Sequence, residues 1–485
     1  NTAGVYSSED GYGYLNIRGA RSDANYYYID GMKVLGTSNL PKSAIGEISV
    51  ISGGLPAQYG DVTGGVISIT TKGPSADYHG AAEYLTSGFK INDNMVGLDA
   101  FGYNVLEASL SGPLLMKKDS NGNKTKEPIV GFFVSGNYTN VVDNSPSAIG
   151  MWKIKDDELE RLQKDPVTTI PGFAQTIQGA ELLRANSFEK VKTKQNVGRE
   201  QYVFNGKLDF NTGKTTNLTF GGSYNGINRS GYSYANSLYN SANNTQVNDN
   251  DWRVFGRFVQ RFANAQGDAK TKSSIANAFY SIQFGYNETN TRRGDPVHGE
   301  NFWDYGYVGE FQRFQTRSYE SLTLDPTAND SLWLGHDIGW VTSGTYNVQT
   351  AFEDTLIGFT PSDVNPDMAA YTTGYYDLYG WEGYDSEGNP IYDREAASTP
   401  GDANTFLRNQ EAVNNSFNKS KSQQYRVTLM GSADIKEHAV SVGFEYEQRV
   451  IRGYSIAPRG LWNIGNLRAN SQLQNLDELN PTVTS

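Results

Sequence analysis

"QYVFNGKLDF", residues 201–210, is the stretch on which the reading of the fold turns. Side chains alternate across an extended strand, so Tyr202, Phe204, Gly206, Leu208 and Phe210 share one face while Asn205, Lys207 and Asp209 share the other. The same two-residue period returns in 216–225, where Leu218, Phe220, Gly222 and Tyr224 oppose Asn217, Thr219, Ser223 and Asn225. In 276–287, Ala276, Ala278, Tyr280, Ile282, Phe284 and Tyr286 oppose Asn277, Ser281, Gln283 and Asn287, with Phe279 out of step. In 438–449, Val440, Val442, Phe444 and Tyr446 oppose Ser441, Glu445, Glu447 and Arg449, and weaker alternation covers 80–90, 102–112, 129–140, 251–263 and 423–434. An apolar face held against a polar one for about ten residues is what a tilted strand needs to cross a bilayer. Strands of a soluble sandwich usually stop at about five or six residues. Tyr, Phe and Trp also gather near the segment ends, as an interfacial girdle requires.

Composition agrees with a many-stranded chain. Only 37% of the 485 residues are hydrophobic, and no apolar run is long enough for a spanning helix. Glycine is abundant (52) and aromatics reach 12%, with 31 tyrosines. The net charge of -12 argues against a nucleic-acid surface, which needs clustered Lys and Arg. Without a single Cys the chain has no disulfides, thiolate chemistry or cysteine metal sites. No charged-then-apolar leader follows Asn1, so an export signal is expected to lie outside this sequence.

The connections orient the strands. "FNTGKTTN" (210–217) and "ADIKEH" (433–438) are tight turns, whereas 141–199, 229–250 and 290–422 are long, and membrane barrels place short turns inside and long loops outside. The segment 113–128 reads as a longer inner turn. These assignments predict nine spanning strands, or eleven if a hairpin of 305–324 with 333–350 also crosses. An open sheet cannot sit in lipid, because its edges leave backbone groups unpaired, so more strands are expected than these. The polar tail from Asn470 reads as an outside loop.

Residues 1–78 differ in texture. They are Gly-rich, with short strand-like pieces that suit a compact α+β unit, while 79–485 carries the long alternating segments. Three pieces follow in order: "NIRG" (16–19), "IDGMKV" (29–34) and "ISVISGGLPAQYGDVTGGVISITTKG" (48–73). In this order they resemble the plug signature of TonB-dependent outer-membrane receptors, and the later strands resemble their barrel. "RSDANYYYIDG" and "SGPLLMKKDSNGNK" look most like the large receptors of Bacteroidetes-type bacteria.

The resemblance implies a transmembrane antiparallel β-barrel of 22 strands when complete, with a small α+β plug in its lumen. It places 1–78 as the C-terminal part of the plug and 79–485 as the N-terminal part of the barrel. Its implied setting is the outer membrane of a Gram-negative bacterium, as a multi-pass receptor importing a solute too large for porins. Its implied partners are outer-membrane lipids, a TonB-type energy-coupling protein, and a surface lipoprotein lid or other outer-membrane proteins. The second reading is a receptor-like barrel serving as a structural subunit of a larger outer-membrane complex.

Signature positions and expected plug-to-wall contacts are Arg18, Gly19, Arg21, Asp30, Gly31, Glu47, Tyr59, Gly60, Asp61, Gly64 and Gly65. Arg18, Arg21, Asp23 and Asp30 are expected to meet polar lumen side chains, although Arg18 and Asp30 could instead bridge each other. Where the family usually has "IERIEV" this chain has "IGEISV", with Glu47 and Ser49, so a lock carried by the usual Arg and Glu is not expected here.

Enzyme motifs are absent. His79, His298, His336 and His438 are too scattered for metal-ligand spacing, and no catalytic residue, metal or cofactor is expected. "DSNGNK" (119–124) begins like a calcium loop but has Lys124 where that loop requires Gly, and "VNDNDW" (247–252) is a candidate surface calcium site. In the loops, "IKDDELERLQK" (154–164) has acids first and bases late, as a helix prefers, with Ile154, Leu159 and Leu162 free to pack on a neighbour. Tyr375, Tyr376, Tyr379, Trp381, Tyr384 and Asp385 are candidate loop contacts, because aromatics beside carboxylates suit sugar or peptide recognition.

Overall fold

In the computed structural model the alternating segments pair into one antiparallel sheet of nine strands. The structure describes all residues except 1–4, 8–14, 22–23, 35–39, 61, 92–93, 119–123, 170–175, 212, 214, 263–274, 380, 385, 387, 389, 394–412, 472–474 and 485. The N-terminal unit comes first, with β1 (Tyr26–Ile29), β2 (Met32–Val34), β3 (Ile45–Ile51) and β4 (Val66–Thr71). Their order is β2-β1-β4-β3, with β1 parallel to β4 and the other pairs antiparallel. Ile17, Ile29, Val34, Ile67 and Ile69 form its core, with Tyr27, Leu40, Ile45 and Val50 packed around them.

The large sheet follows in strict chain order: β5 (His79–Thr86), β6 (Tyr103–Lys118), β7 (Lys124–Val141), β8 (Arg199–Asn211), β9 (Thr216–Ser230), β10 (Gln246–Arg261), β11 (Ile275–Gly294), β12 (Phe417–Ile435) and β13 (His438–Ile456). The segments read as alternating lie in these strands to within a residue or two at their ends, except 80–90, where the wall strand stops at Thr86 and Gly88–Ile91 pairs with Asn94–Gly97 in a separate two-stranded sheet. Most run longer than ten residues, β11 reaching 20, so their outer ends continue past a bilayer. The stretch 113–128 is not a long turn: its flanks extend β6 and β7 through bulged pairs as far as Lys118 opposite Lys124.

The two faces separate as the period requires. Tyr202, Phe204 and Leu208 point away from the N-terminal unit and are exposed, while Asn205 and Lys207 are buried on the inner face. Phe279 keeps the inner-face register of Ser281 and Gln283, opposite Ser432, as an apolar residue on the polar face; β11 bulges just before it, between Ala276 and Phe279, with Asn277 at φ 50°. The extra residue turns Ala276 to the inner face opposite Asp434, a correction to the simple alternation. On the outer face one belt of rings runs from strand to strand: Tyr138 on Tyr202 (5.0 Å), Trp252 on Tyr286 (4.9 Å) and Tyr286 on Tyr425 (4.8 Å). Phe258, Tyr280 and Phe262 form the opposite belt, with Tyr280 6.0 Å from each of the two phenylalanines. Among the described residues no helix is long and apolar enough to cross a membrane.

The hairpin expected near 305–350 forms, but outside the wall. Gly309–Leu324 pairs with Gly344–Pro361 in a separate sheet, and β11 pairs directly with β12, which leaves nine wall strands among the described residues. The acidic run 247–252 lies inside β10 and not in a loop, and Asp249 accepts a bond from Thr291 (2.7 Å) and stands 3.8 Å from Arg229. No group of three metal-ligating side chains occurs among the described residues, and 119–123 lies outside them. The expected loop helix is α1 (Asp156–Lys164), with Leu162 fully buried against Gly179 and Ile154 buried in the strand before it.

An arginine placed at Phe284, between the two belts on the outer face, should destabilise the protein by about 2–4 kcal/mol, against about 0–1 kcal/mol for arginine at Asn248 beyond the belt. Guanidinium titration of the protein folded in bilayers measures both.

Candidate functional site

The N-terminal unit meets the inner face of the wall through the "IDG" turn. Ile29 and Met32 pair across a two-residue loop in which Asp30 (φ 49°) and Gly31 (φ 80°) both take the left-handed conformation. That is the type I′ geometry for which Asp-Gly is a preferred pair. The turn aims the Asp30 carboxylate outward at the wall, where Lys207 Nζ of β8 donates to Oδ1 at 2.9 Å. Thr71 completes the set: its N–H donates to Oδ1 (3.1 Å), its hydroxyl to Oδ2 (2.7 Å), and its carbonyl accepts from Lys207 (3.0 Å). Both charged side chains are nearly inaccessible, at 2% and 6% exposure. A buried ion pair offsets its desolvation only when the remaining donors and acceptors are also met, and here five polar groups close on one another.

Further contacts spread along the wall. Gln283 of β11 donates to the Asp30 carbonyl (3.1 Å), and the Met32 side chain lies where a Cβ on Gly285 would have to go. The Arg426 guanidinium of β12 stands over the Tyr28 ring at 5.3 Å, with Tyr59 edge-on to that ring at 5.0 Å, and Arg426 also pairs with Glu445. At the other end of the wall, Glu107 of β6 accepts from the Ser43 N–H (2.6 Å) and from Asn137 (3.0 Å). One inner row carries buried polar atoms without a protein hydrogen bond: Ser135 Oγ, Asn205 Oδ1, Arg253 Nε and Nη1, and both amide ends of Gln424.

The signature residues divide by role. Gly64 and Gly65 are required by close approach, since a Cβ on them would stand 2.5 Å from Asn25 Oδ1 and 2.6 Å from Ile17. Gly19 takes φ 75° in the turn after the short strand Leu15–Ile17, whereas Gly60 faces open space. Arg18 and Arg21 are exposed, and the Arg18 guanidinium lies against Gly53, while Asp30 pairs with Lys207. Glu47 is exposed and accepts from the Ser49 hydroxyl (3.2 Å), whereas the buried ion pair between the N-terminal unit and the wall is that of Asp30 and Lys207. Asp23 and Asp61 lie outside the described residues. Lys207, Gln283, Gly285 and Arg426 were not singled out as plug contacts from sequence; the inward positions of Lys207 and Gln283 were the available signal.

A cavity of about 260 Å³ opens between the N-terminal unit and the wall, lined by Leu40, Lys42, Glu83, Glu107, Asn137 and Gln201. A groove of about 380 Å³ between Ile282, Leu429, Val442 and Phe444 lies on the apolar outer face. In the outer loops, α2 (Pro366–Tyr379) buries Met368 and Tyr371 with Tyr305 and Val413, against which Val167 of the 141–199 loop also packs. Tyr376 is 1% exposed against Phe359, so it is loop core and not a contact surface; Tyr375 is half-buried and Tyr384 exposed. Asp385 and the side chains of Tyr379 and Trp381 lie outside the description. Asp295 caps the Val297 and His298 N–H groups (2.9 Å each), His298 bonds Asn365 (2.8 Å), and burial beside Asp295 pushes the Tyr305 hydroxyl up to about 12.

Residues 1–66 match the family described as TonB-dependent Receptor Plug Domain. No curated protein matches the chain. Among solved structures it is similar to a mutant of the ferric enterobactin receptor PfeA from Pseudomonas aeruginosa, at 14% identity and TM-score 0.35, covering 93% of this chain and 54% of that one. The unliganded ferric citrate transporter FecA is 12% identical with TM-score 0.37, covering 93% and 52%. The pyoverdine receptor FpvA from Pseudomonas aeruginosa PAO1, bound to pyoverdine, is 12% identical with TM-score 0.35, covering 90% and 51%. The chain spans about half the length of each.

Two outcomes follow from the geometry. Asp30→Ala should cost about 3–5 kcal/mol of plug docking by leaving Lys207 charged and buried, and the double change with Lys207→Met should cost less than the sum of the singles. Hydrogen exchange in 26–34 reads this coupling. Burial raises Asp367 from 3.8 to about 6, so α2 should be most protected below pH 4 and lose protection as pH rises through 6. Asp367→Asn should flatten that profile in hydrogen exchange corrected for intrinsic rates.

Proposed function

We propose that this chain belongs to an outer-membrane receptor of the TonB-dependent type, in which a plug rearrangement driven from the inner membrane admits a solute too large for porins. The observation that carries the reading is the docking of the plug-like unit on the polar inner wall through Asp30, Lys207 and Thr71. The ion pair and the contacts of Gln283, Arg426 and Glu107 hold the plug at a few places, while the unmet polar groups of the row through Asn205, Arg253 and Gln424 weaken the interface between them. Such an interface is closed at rest and yields when these few contacts are pulled. The match of residues 1–66 to the plug family and the two outer belts of rings support the membrane setting.

In this reading 1–78 is plug and 79–485 barrel, the complete wall has 22 strands, and the solute meets the cavity above Lys42 and Glu107 before the plug moves. The Bacteroidetes type, a TonB-type coupling protein and a surface lipoprotein lid belong to the same proposal and rest on the sequence resemblance. The reading of the barrel as a scaffold draws on the loop core that joins Val167 to Tyr305 and Met368, an elaborated outer surface suited to protein partners.

Purification of the intact complex from outer membranes, with mass spectrometry of what stays bound, separates the two readings. Import predicts recovery of a coupling protein, a lipoprotein lid or a small solute. A stable set of other outer-membrane proteins, unchanged when the coupling protein is deleted, would overturn import in favour of a scaffold.

A further inference from the structure

Two glycines lie in the wall beneath the "IDG" turn. Strand pairing sets Lys207, Gly221, Phe255, Gly285 and Arg426 in one inner row, and the Phe255 ring and the Met32 side chain fill the room left at Gly221 and Gly285. The next row toward the outer loops reads Asn205, Ser223, Arg253, Asn287 and Gln424. Lys207 on β8 and Arg253 on β10 are therefore two strand spacings and one row apart, roughly 12 Å between Cα atoms. Their long side chains close that span, and the charges of both Asp251 and Asp30 reach Arg253.

The hydrogen bonds around these residues are unevenly shared. Lys207 Nζ holds two plug acceptors, Asp30 Oδ1 at 2.9 Å and the Thr71 carbonyl at 3.0 Å. Arg253 carries two donors, Nε and Nη1, that are closed to solvent and have no partner among the described residues. Asn205 Oδ1, on the same face two residues before Lys207, is a closed acceptor in the same condition. Buried polar atoms left unmet are costly, and charged ones most of all.

The two deficits are complementary. If the turn crosses β9 to Arg253, the two idle donors meet the two plug acceptors, and the released Lys207 ammonium meets Asn205. The bonds from Thr71 to the Asp30 carboxylate lie within the plug and travel with it. Arg426 also has unmet donors, but its guanidinium is held by Glu445 and stands over the Tyr28 ring.

We propose that Arg253 is a second seat for the Asp30 carboxylate, a positioning residue that receives it from Lys207 when the plug moves. Breaking a buried ion pair strands a charge, and a waiting second cation keeps the carboxylate compensated through the movement. The inference rests on the reading of the N-terminal unit as a plug that moves against the wall.

The test is hydrogen exchange in 26–34 of the full-length protein in lipid nanodiscs. Lys207→Met should lose about tenfold of the protection or less, because Asp30 settles on Arg253, whereas Lys207→Met with Arg253→Met should lose about a hundredfold or more. Arg253→Lys on the Lys207→Met background should keep most of what Lys207→Met retains. Arg253→Met by itself should leave 26–34 at least as protected as in wild type, which separates a receiving seat from a support of the wall. Equal loss in Lys207→Met and in the double variant would overturn the proposal. So would the hundredfold loss appearing when Lys207→Met is combined with Arg257→Met, one row nearer the inner turns. Where the double variant does not fold, Asp30→Asn on the Lys207→Met background decides by its sign. Protection should fall if Arg253 holds the carboxylate, and a rise, the relief of a lone buried charge, would overturn the seat. A wild type whose 26–34 exchanges as freely as an undocked segment would instead sink the plug reading itself.

Discussion

A single buried ion pair sets the relation between the two parts of this protein. Asp30 and Lys207 are charges almost closed to solvent, which is tolerable only because Thr71 supplies both a backbone and a side-chain donor to the carboxylate and a carbonyl to the ammonium. That arrangement needs the Asp-Gly turn, since φ 49° and φ 80° are what point the carboxylate past the end of β1. It also needs Lys207 on the inner face of β8, a matter of strand parity. Moving either by one residue would strand a charge in the wall.

From this point the remaining contacts follow as a graded series. Met32 on Gly285 and Arg426 over Tyr28 continue the docking along β11 and β12, and Ser43 on Glu107 anchors the other flank. Between them lies a row in which Ser135, Asn205, Arg253 and Gln424 carry polar atoms not matched by the protein. Docking is thus firm at a few places and loose elsewhere, which is what the proposed plug movement requires. The outer loops are organised differently, around apolar clusters of Tyr305, Met368, Phe359 and Tyr376, as small proteins are.

Much of the architecture was legible in the chain. The two-residue period named the nine wall strands, and the acids-first pattern named α1. The misreadings have local causes. The phase of β11 slips at Ala276 because a bulge inserts a residue, which a strict period cannot represent. The acidic run in β10 looked like a loop because polar residues on both faces hide a strand once it has left the bilayer. Tyr376 looked like a contact residue because aromatic density by itself does not distinguish a core from a surface.

The sequence by itself determined what is periodic and local: which residues face lipid, which face inward, and where Asp-Gly and Gly-Gly force the backbone. Only the tertiary structure decided which inward residue meets which plug residue. Asp30 and Lys207 are 177 residues apart, and Asp30 and Gln283 are 253 apart, separations over which no pattern in a single chain specifies a partner. Strand pairing likewise sets Asn205, Arg253 and Gln424 from three strands in one inner row. The physical reason is that alternation fixes a side chain's direction, whereas register between strands and the seating of the plug fix its neighbours.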